Sequence, residues 1–328
     1  MAKKKIFHGG FASLVKRALE LGIKVKFYPD QFSLVKFSLG EDFIFSKKGV
    51  IPLSVHPARL IVNKDLTKTL LGLIDIRTPR GIVASSCDEA TKLIRKEKIK
   101  YPLIAKPIDG TRAKGVTWNI RSKKEMEKAI RFINSRRIRK WSRSSKFLIE
   151  EMYVGDEYRV LVFDGEVLSC VKKVPATIVG DGISTIQELT NIFNKKREKG
   201  FEIKIDRVVK KTLSENNLAL GSVLVRDARL KLRDNLNMSD GGRAIESTNE
   251  MSAFLKKTCV KSVQAAGLLW GGVDLMTNKL SSKGGGYVIL EINSNPFYNM
   301  NERPLVEGIG IDVSEKILKY LFPKLKIK

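Results

Sequence analysis

The feature that most constrains this chain lies near its end, where two short apolar runs each carry a carboxylate. Gly271-Gly-Val-Asp-Leu-Met276 and Tyr287-Val-Ile-Leu-Glu-Ile-Asn-Ser-Asn-Pro296 are joined by a segment rich in Thr, Asn, Lys, Ser and Gly, the pattern of an antiparallel strand pair. Asp274 interrupts one run and Glu291 the other, and the two-residue strand period sets Glu291 and Asn293 on one face. Unpaired carboxylates buried in a sheet are costly. Two arrangements offset that cost. One is a hard divalent cation, which takes oxygen ligands from one or two carboxylates and otherwise from phosphates and water. The other is ion pairing with the chain's many lysines.

With 328 residues and 43% hydrophobic content, the chain is long enough for a substantial core and two or three subdomains. No stretch approaches the ~20 consecutive apolar residues of a membrane helix. Met1-Ala-Lys-Lys-Lys5 leads into a mixed segment without a signal-peptide core, so a cytoplasmic protein without membrane contact is expected. Cys87, Cys170 and Cys259 are odd in number and far apart, which fits neither a disulfide framework nor a zinc site and predicts buried thiols.

The 61 Lys and Arg against 35 Asp and Glu give a formal charge of +26, a field that draws in anions such as nucleotides, acidic peptides or nucleic acid. Most of that charge is lysine spread along the chain, not the patch of a nucleic-acid module, which argues against nucleic acid as partner. Arg136, Arg137, Arg139, Lys140, Arg143 and Lys146, with Trp141 among them, form the one dense run. It is expected to be an exposed loop, and contact with a polyanion stays open.

Periodicity predicts a mixed order of elements. Leu14, Val15, Ala18 and Leu19 recur at helical spacing and Ile23 to Phe27 alternate like a strand, a helix-strand unit too short for a nucleotide-binding domain. Helices are predicted over 65–73, 88–98, 123–133, 251–266 and 312–321, and strands over 81–84, 102–107 and 146–152. A further strand pair over 157–162 and 166–172 turns at Asp164-Gly165. Another helix starts near Ser184-Thr-Ile-Gln-Glu-Leu189, with a capping box at either Ser184/Gln187 or Thr185/Glu188. Strands and helices do not alternate regularly, which argues for an α+β fold over a doubly wound sheet.

Gly110-Thr-Arg-Ala-Lys-Gly115 has the opening of a P-loop spacing, but Val116-Thr117 stand where Lys-Ser or Lys-Thr would be needed, so a Walker A motif is excluded. A Gly-bounded loop remains, with Arg112 and Lys114 on it and Lys106 on the strand before it. Such a loop can lay N–H groups and cations over a triphosphate, or be an ordinary turn. In Glu150-Glu-Met-Tyr-Val-Gly-Asp-Glu-Tyr-Arg159, a strand ends in two acids, and Glu157 and Arg159 follow two residues apart. These can receive an amino group and a ribose, or form a surface salt bridge worth little.

Taken in order, these segments resemble the ATP-grasp carboxylate-amine ligases. The match runs through Asn63-Lys-Asp-Leu-Thr-Lys68, Ala105 to Gly115, Glu150 to Arg159, Gly272-Val-Asp274 and Glu291-Ile-Asn-Ser-Asn-Pro296. Val174 to Leu189, Leu232 to Gly242 and Leu321-Phe-Pro323 make it similar to the ATP-grasp module of bifunctional glutamate-cysteine ligase/glutathione synthetases and of cyanophycin synthetases. The resemblance implies an α+β ATP-grasp fold in which two subdomains sandwich ATP. It divides the chain into a truncated pre-ATP-grasp unit over 1–62, a small subdomain with the phosphate loop over 63–147, and a C-terminal subdomain with the metal site over 148–328.

The resemblance further implies that Lys64 and Lys106 contact phosphate, with Gly110, Thr111, Lys114 and Gly115 on the covering loop. Glu150 and the backbone of Glu151, Met152 and Tyr153 would meet the adenine, and Glu157 the ribose. Asp274, Glu291 and Asn293 match the ligands of Mg2+, with Mn2+ as the alternative ion. The implied reaction passes the γ-phosphoryl group of ATP to a carboxylate, and an amine then attacks the acyl phosphate. Arg159, Arg233 and Asn237 are candidates for steadying that intermediate, with structural pairing as their alternative. The implied substrates are amino acids or peptides, anionic given the basic chain, and a homo-oligomer is compatible with all of this. The chain departs from the pattern at Met300-Asn301, where Met-His is usual, at Gly310-Ile311, at Asp240 and at Lys173, which puts glutathione itself in doubt. A ligase acting on an acidic carrier protein and a nucleotide- or polyanion-binding protein without catalysis are the alternatives.

Overall fold

The computed structural model describes residues 10–27, 34–40, 42–47, 61, 64–109, 115–135 and 144–326. Helix α1 (Gly10–Glu20) leads into β1 (Lys24–Phe27), β2 (Leu34–Leu39) and β3 (Asp42–Lys47), an antiparallel three-stranded sheet. The expected helix-strand unit thus carries two more strands. It does not stand alone: Leu14, Ala18 and Phe37 share a core with Leu161, Trp270, Tyr298 and Ile317. A late helix, whose apolar stripe includes Ile317, closes that core.

Helix α2 (Lys64–Gly72) follows, then β4 (Gly81–Ala84), α3 (Cys87–Lys96), β5 (Leu103–Pro107), β6 (Thr117–Ile120), α4 (Lys123–Ile133) and β7 (Phe147–Glu151). The strands form a four-stranded antiparallel sheet in the order β4-β7-β5-β6. Ser86 and Ser122 cap α3 and α4 by accepting from Glu89 N and Glu125 N, satisfying donors the first helical turn leaves open. Both helices bury their apolar stripes on one face of the sheet, with Ile94, Met126 and Ile130 against Leu103, Phe147 and Ile149. The opposite face carries Lys106, Leu148 and Glu150.

The large sheet is six-stranded, in the order β14-β13-β8-β9-β12-β15. Its members are β8 (Asp156–Phe163), β9 (Glu166–Val174), β12 (Arg243–Glu246), β13 (Trp270–Thr277), β14 (Tyr287–Asn293) and β15 (Val306–Glu307). Asp164 and Gly165 both take positive φ, the two-residue turn expected between β8 and β9. Between β9 and β12 stands a satellite with its own core, built on β10 (Thr177–Val179), α5 (Ile186–Lys195), α6 (Arg207–Glu215) and β11 (Arg229–Lys231). Of the two possible capping boxes at α5, Thr185/Glu188 is the one formed. Helix α7 (Ala253–Ala265) covers one face of the large sheet, where Leu255, Cys259 and Val263 pack on Val160, Val273 and Ile289. Ile61, Leu71 and Ile76 join that core, so the apolar side of α2 packs with the large sheet. Helix α8 (Val313–Leu321) supplies the stripe that closes the N-terminal core.

Cys170 and Cys259 are buried thiols as expected, whereas Cys87 at the start of α3 is only half-buried. No described helix is long and apolar enough to cross a membrane.

Candidate active site

Three neighbouring strands of the large sheet bring charge together on the face away from α7. Asp274 on β13 lies directly across from Arg159 on β8 and from Glu291 on β14, and Gly272 lies across from Asn293. The Asp274–Glu291 pairing depends on a register shift between Asp274 and Leu275. Counting back from the Thr277–Tyr287 pair without it would set Asp274 against Leu290. A bulge of this kind re-aims side chains by inserting one residue into one strand.

Asp274 is only 7% exposed and is held from two sides. Arg159 grips it with a two-pronged contact, Nε to Oδ1 at 2.7 Å and Nη2 to Oδ2 at 3.2 Å, and Asn293 Nδ2 donates to Oδ2 at 3.4 Å. Lys173 Nζ stands 3.9 Å from Oδ1. Burial pushes the Asp274 carboxyl up, but Arg159 and Lys173 outweigh it and hold the group below its usual range. Glu291 receives Lys64 Nζ at 3.1 Å. Lys173 also pairs with Glu157, so the Glu157–Arg159 stretch is not a surface salt bridge: each residue is committed to a partner on a neighbouring strand.

A second cluster forms where the small sheet meets α2. Glu150 on β7 is 2% exposed and receives both Lys106 from β5 and Lys68 from α2. Burial raises the Glu150 carboxyl, and the two ammonium groups overcome that and hold it below its usual range. Lys64 and Lys68 sit one turn apart on α2, a spacing that puts them on one helix face. One helix thereby ties Glu291 on the large sheet to Glu150 on the small one. A small cleft lined by Ile61, Lys64, Lys68, Thr78, Leu290 and Glu291 lies alongside.

The other expected residues divide. Glu151 accepts from Lys100 N at 2.9 Å, and its own N–H and that of Met152 are given to Arg80 O and Pro102 O, at 2.8 and 2.9 Å. Tyr153 is half-buried in the segment leading to β8. Arg233, 5% exposed, donates to Lys204 O and pairs with Asp206, both at 2.9 Å, while its Nε has no partner among the described residues. Asn237 donates to Asp240 Oδ2 at 3.3 Å. The neighbouring Met238 packs on Val171 and Ala244, beside Lys173, on the charged face of the large sheet. Gly115, the last residue of the Gly-bounded stretch expected to cover a phosphate, takes φ 78°. Gly110, Thr111, Arg112 and Lys114 lie outside the described residues, as do Arg136, Arg137, Arg139, Lys140, Trp141 and Arg143 of the basic run, whereas Lys146 is exposed.

This architecture aligns with the crystal structure of a bifunctional glutathione synthetase from Pasteurella multocida at a TM-score of 0.73, over 96% of this chain and 44% of that one, with 24% identity. The chain has the ATP-grasp fold. In sequence it is 32% identical to a cyanophycin synthetase of Trichormus variabilis over 273 residues, 80% of this chain and 29% of that protein. It is 30% identical to a bifunctional glutathione biosynthesis protein of Clostridium perfringens over 325 residues, 94% of this chain and 40% of that protein. The chain thus spans less than half the length of these curated relatives. No family model matches it.

Within the ATP-grasp frame, the chemistry of the donor set suits a hard divalent cation. Asp274 and Glu291 are cross-strand neighbours and Asn293 adds an amide, so every donor is oxygen. Among the described residues no three His, Cys, Asp or Glu side chains gather as a metal cluster, and here the third donor is the Asn293 amide beside two carboxylates. Two residues of the site carry no individual role in the sequence pattern: Lys68 closes the Asn63–Lys68 motif, and Lys173 is a departure from the family pattern. The four-residue interval from Lys64 was a legible signal for Lys68. Lys173 had none, since an unshifted hairpin would set Lys172 opposite Glu157. The shift between Leu161 and Val162 brings Lys173 there instead.

Proposed function

We propose that this chain is an ATP-dependent ligase that joins the carboxylate of an amino acid or peptide to an amine, releasing ADP and phosphate. The observation that carries this reading is the meeting of Asp274, Glu291 and Asn293 with Arg159, Lys173 and Lys64 on one sheet face, bridged through α2 to Lys106 and Glu150. Phosphoryl transfer asks for positioning and charge neutralisation rather than a protein nucleophile, and this inventory of cations and acids answers that need. In the proposed reaction a substrate carboxylate oxygen attacks the γ-phosphorus and ADP leaves. The amine nitrogen then attacks the acyl carbon, phosphate leaves, and the nitrogen gives up a proton.

Each residue has a part in this scheme. Lys64, Lys106 and the loop over Gly110, Thr111, Lys114 and Gly115 hold the phosphates. Glu150 with the backbone around Glu151, Met152 and Tyr153 faces the adenine, and Glu157 the ribose. Arg159, Arg233 and Asn237 steady the acyl phosphate. A Mg2+ or Mn2+ ion held by Asp274, Glu291 and Asn293 would neutralise charge on the transferring phosphoryl group. The formal +26 favours anionic substrates.

ADP release measured with pools of amino acids and dipeptides, with and without Mg2+, tests the reading. Metal-dependent turnover is expected, and Asp274→Asn or Glu291→Gln should reduce it by about two orders of magnitude or more with the fold intact. ATP binding without turnover on any pool would instead favour a non-catalytic nucleotide-binding protein, and near-normal activity of both variants would remove these residues from the site.

A further inference from the structure

The charged groups of the site are paired with one another. Glu150 receives Lys68 and Lys106, Glu157 receives Lys173, Glu291 receives Lys64, and Asp274 receives Arg159 through both carboxylate oxygens. In two of these pairs, Lys64 with Glu291 and Arg159 with Asp274, a cation suited to hold phosphate neutralises a carboxylate suited to hold a metal. We propose that Arg159 is a resident counter-ion of Asp274 that yields this carboxylate to a divalent cation, so that metal binding releases Arg159 toward the substrate phosphates. This deepens the proposed function and rests on Asp274 and Glu291 being the metal carboxylates.

Geometry supports the exchange. The fork of Arg159 occupies both oxygens of Asp274 with good distances, and a planar guanidinium matched to a carboxylate in this way is a strong competitor for them. Gly272 makes room for this side chain beside Asp274, because a Cβ there would lie 3.1 Å from Arg159 Cδ and 2.5 Å from Pro296 Cβ. Lys173, already tied to Glu157, stands 3.9 Å from Asp274, beyond hydrogen-bond range, so it keeps a positive charge beside the carboxylate without occupying the oxygens that Arg159 would vacate. Lys64 on Glu291 repeats the arrangement on the second carboxylate. A cation arriving at these two acids thus exchanges one set of ion pairs for another. Linkage then requires that metal and nucleotide strengthen each other's binding by the same factor.

The test uses binding, not turnover. Mn2+ alone is titrated into the full chain and free Mn2+ is counted by electron paramagnetic resonance. The affinity for a non-hydrolysable ATP analogue is then measured with and without Mn2+. Arg159→Met is expected to bind Mn2+ alone about tenfold more tightly than the unmodified chain, while the gain in nucleotide affinity conferred by Mn2+ shrinks by a similar factor. Arg159→Lys, which keeps the charge but loses the fork, should fall between the two and carries the test if Arg159→Met does not fold. Unchanged or weaker Mn2+ binding in the Arg159 variants, with Glu291→Gln still weakening Mn2+ in the presence of the analogue, overturns the counter-ion role and leaves the metal site standing. No effect of Glu291→Gln on Mn2+ under those conditions overturns the metal assignment, and the counter-ion role with it.

Discussion

Replacing Glu150 by Gln should expose how much the chain depends on its buried charges. The carboxylate is 2% exposed, and the side chains of its two partners, Lys68 and Lys106, are 16% and 14% exposed. Removing the negative charge leaves two ammonium groups close together with little water to solvate them. Breaking a buried ion pair by deleting one partner costs about 3–5 kcal/mol, most of it the penalty of the charge left behind. The variant should lose about that much in denaturant unfolding at neutral pH.

The pH dependence has a definite sign. The Glu150 carboxyl titrates below its ordinary 4.5 in the folded chain, so its contribution is complete above that value and drains away as pH falls through the lower, folded value. The stability gap between the unmodified chain and Glu150→Gln should therefore be constant from neutral pH down to about 4.5 and close in more acidic solution. Adding Lys68→Met and Lys106→Met to Glu150→Gln should recover part of the loss, because no charge is then stranded. A loss below about 1 kcal/mol at neutral pH, or a gap that widens in acid, would refute the reasoning.

Two further outcomes follow from packing and burial. Gly272→Ala would drive its new Cβ toward Pro296 and Arg159 and should cost about 1–3 kcal/mol by denaturant unfolding; an unchanged midpoint would show that the β13–β14 face has room to spare. With a thiol reagent at neutral pH, Cys87 should react first in the native chain, since burial pushes the Cys170 and Cys259 thiols well above their usual range. Equal, fast labelling of all three would contradict the two buried positions.

Local pattern carries far in this chain. Periodicity marks the helices over 123–133 and 312–321 to within a residue of where α4 and α8 lie, because an apolar stripe is written in residues close along the chain. The satellite was legible only in part: the start of α5 has a capping box, but α6, β10 and β11 are short and owe their form to a shared core. The placement of α2 against the large sheet was not legible either, since its two buried positions, Thr67 and Leu71, do not say which surface they meet.

From sequence alone come the mixed α+β order, the strand pair bearing Asp274 and Glu291, and the parity that sets Glu291 with Asn293. All of these depend on residues close along the chain. Which charges touch was decided by tertiary structure. Arg159 reaches Asp274 across 115 positions, and two lysines from different elements converge on Glu150. Two register shifts choose Glu291 over Leu290 as the partner of Asp274 and Lys173 over Lys172 as the partner of Glu157. A single-residue slip turns every following side chain to the other face of a strand. Where a bulge falls depends on how the whole sheet packs and twists, so no count along one strand could have placed those contacts.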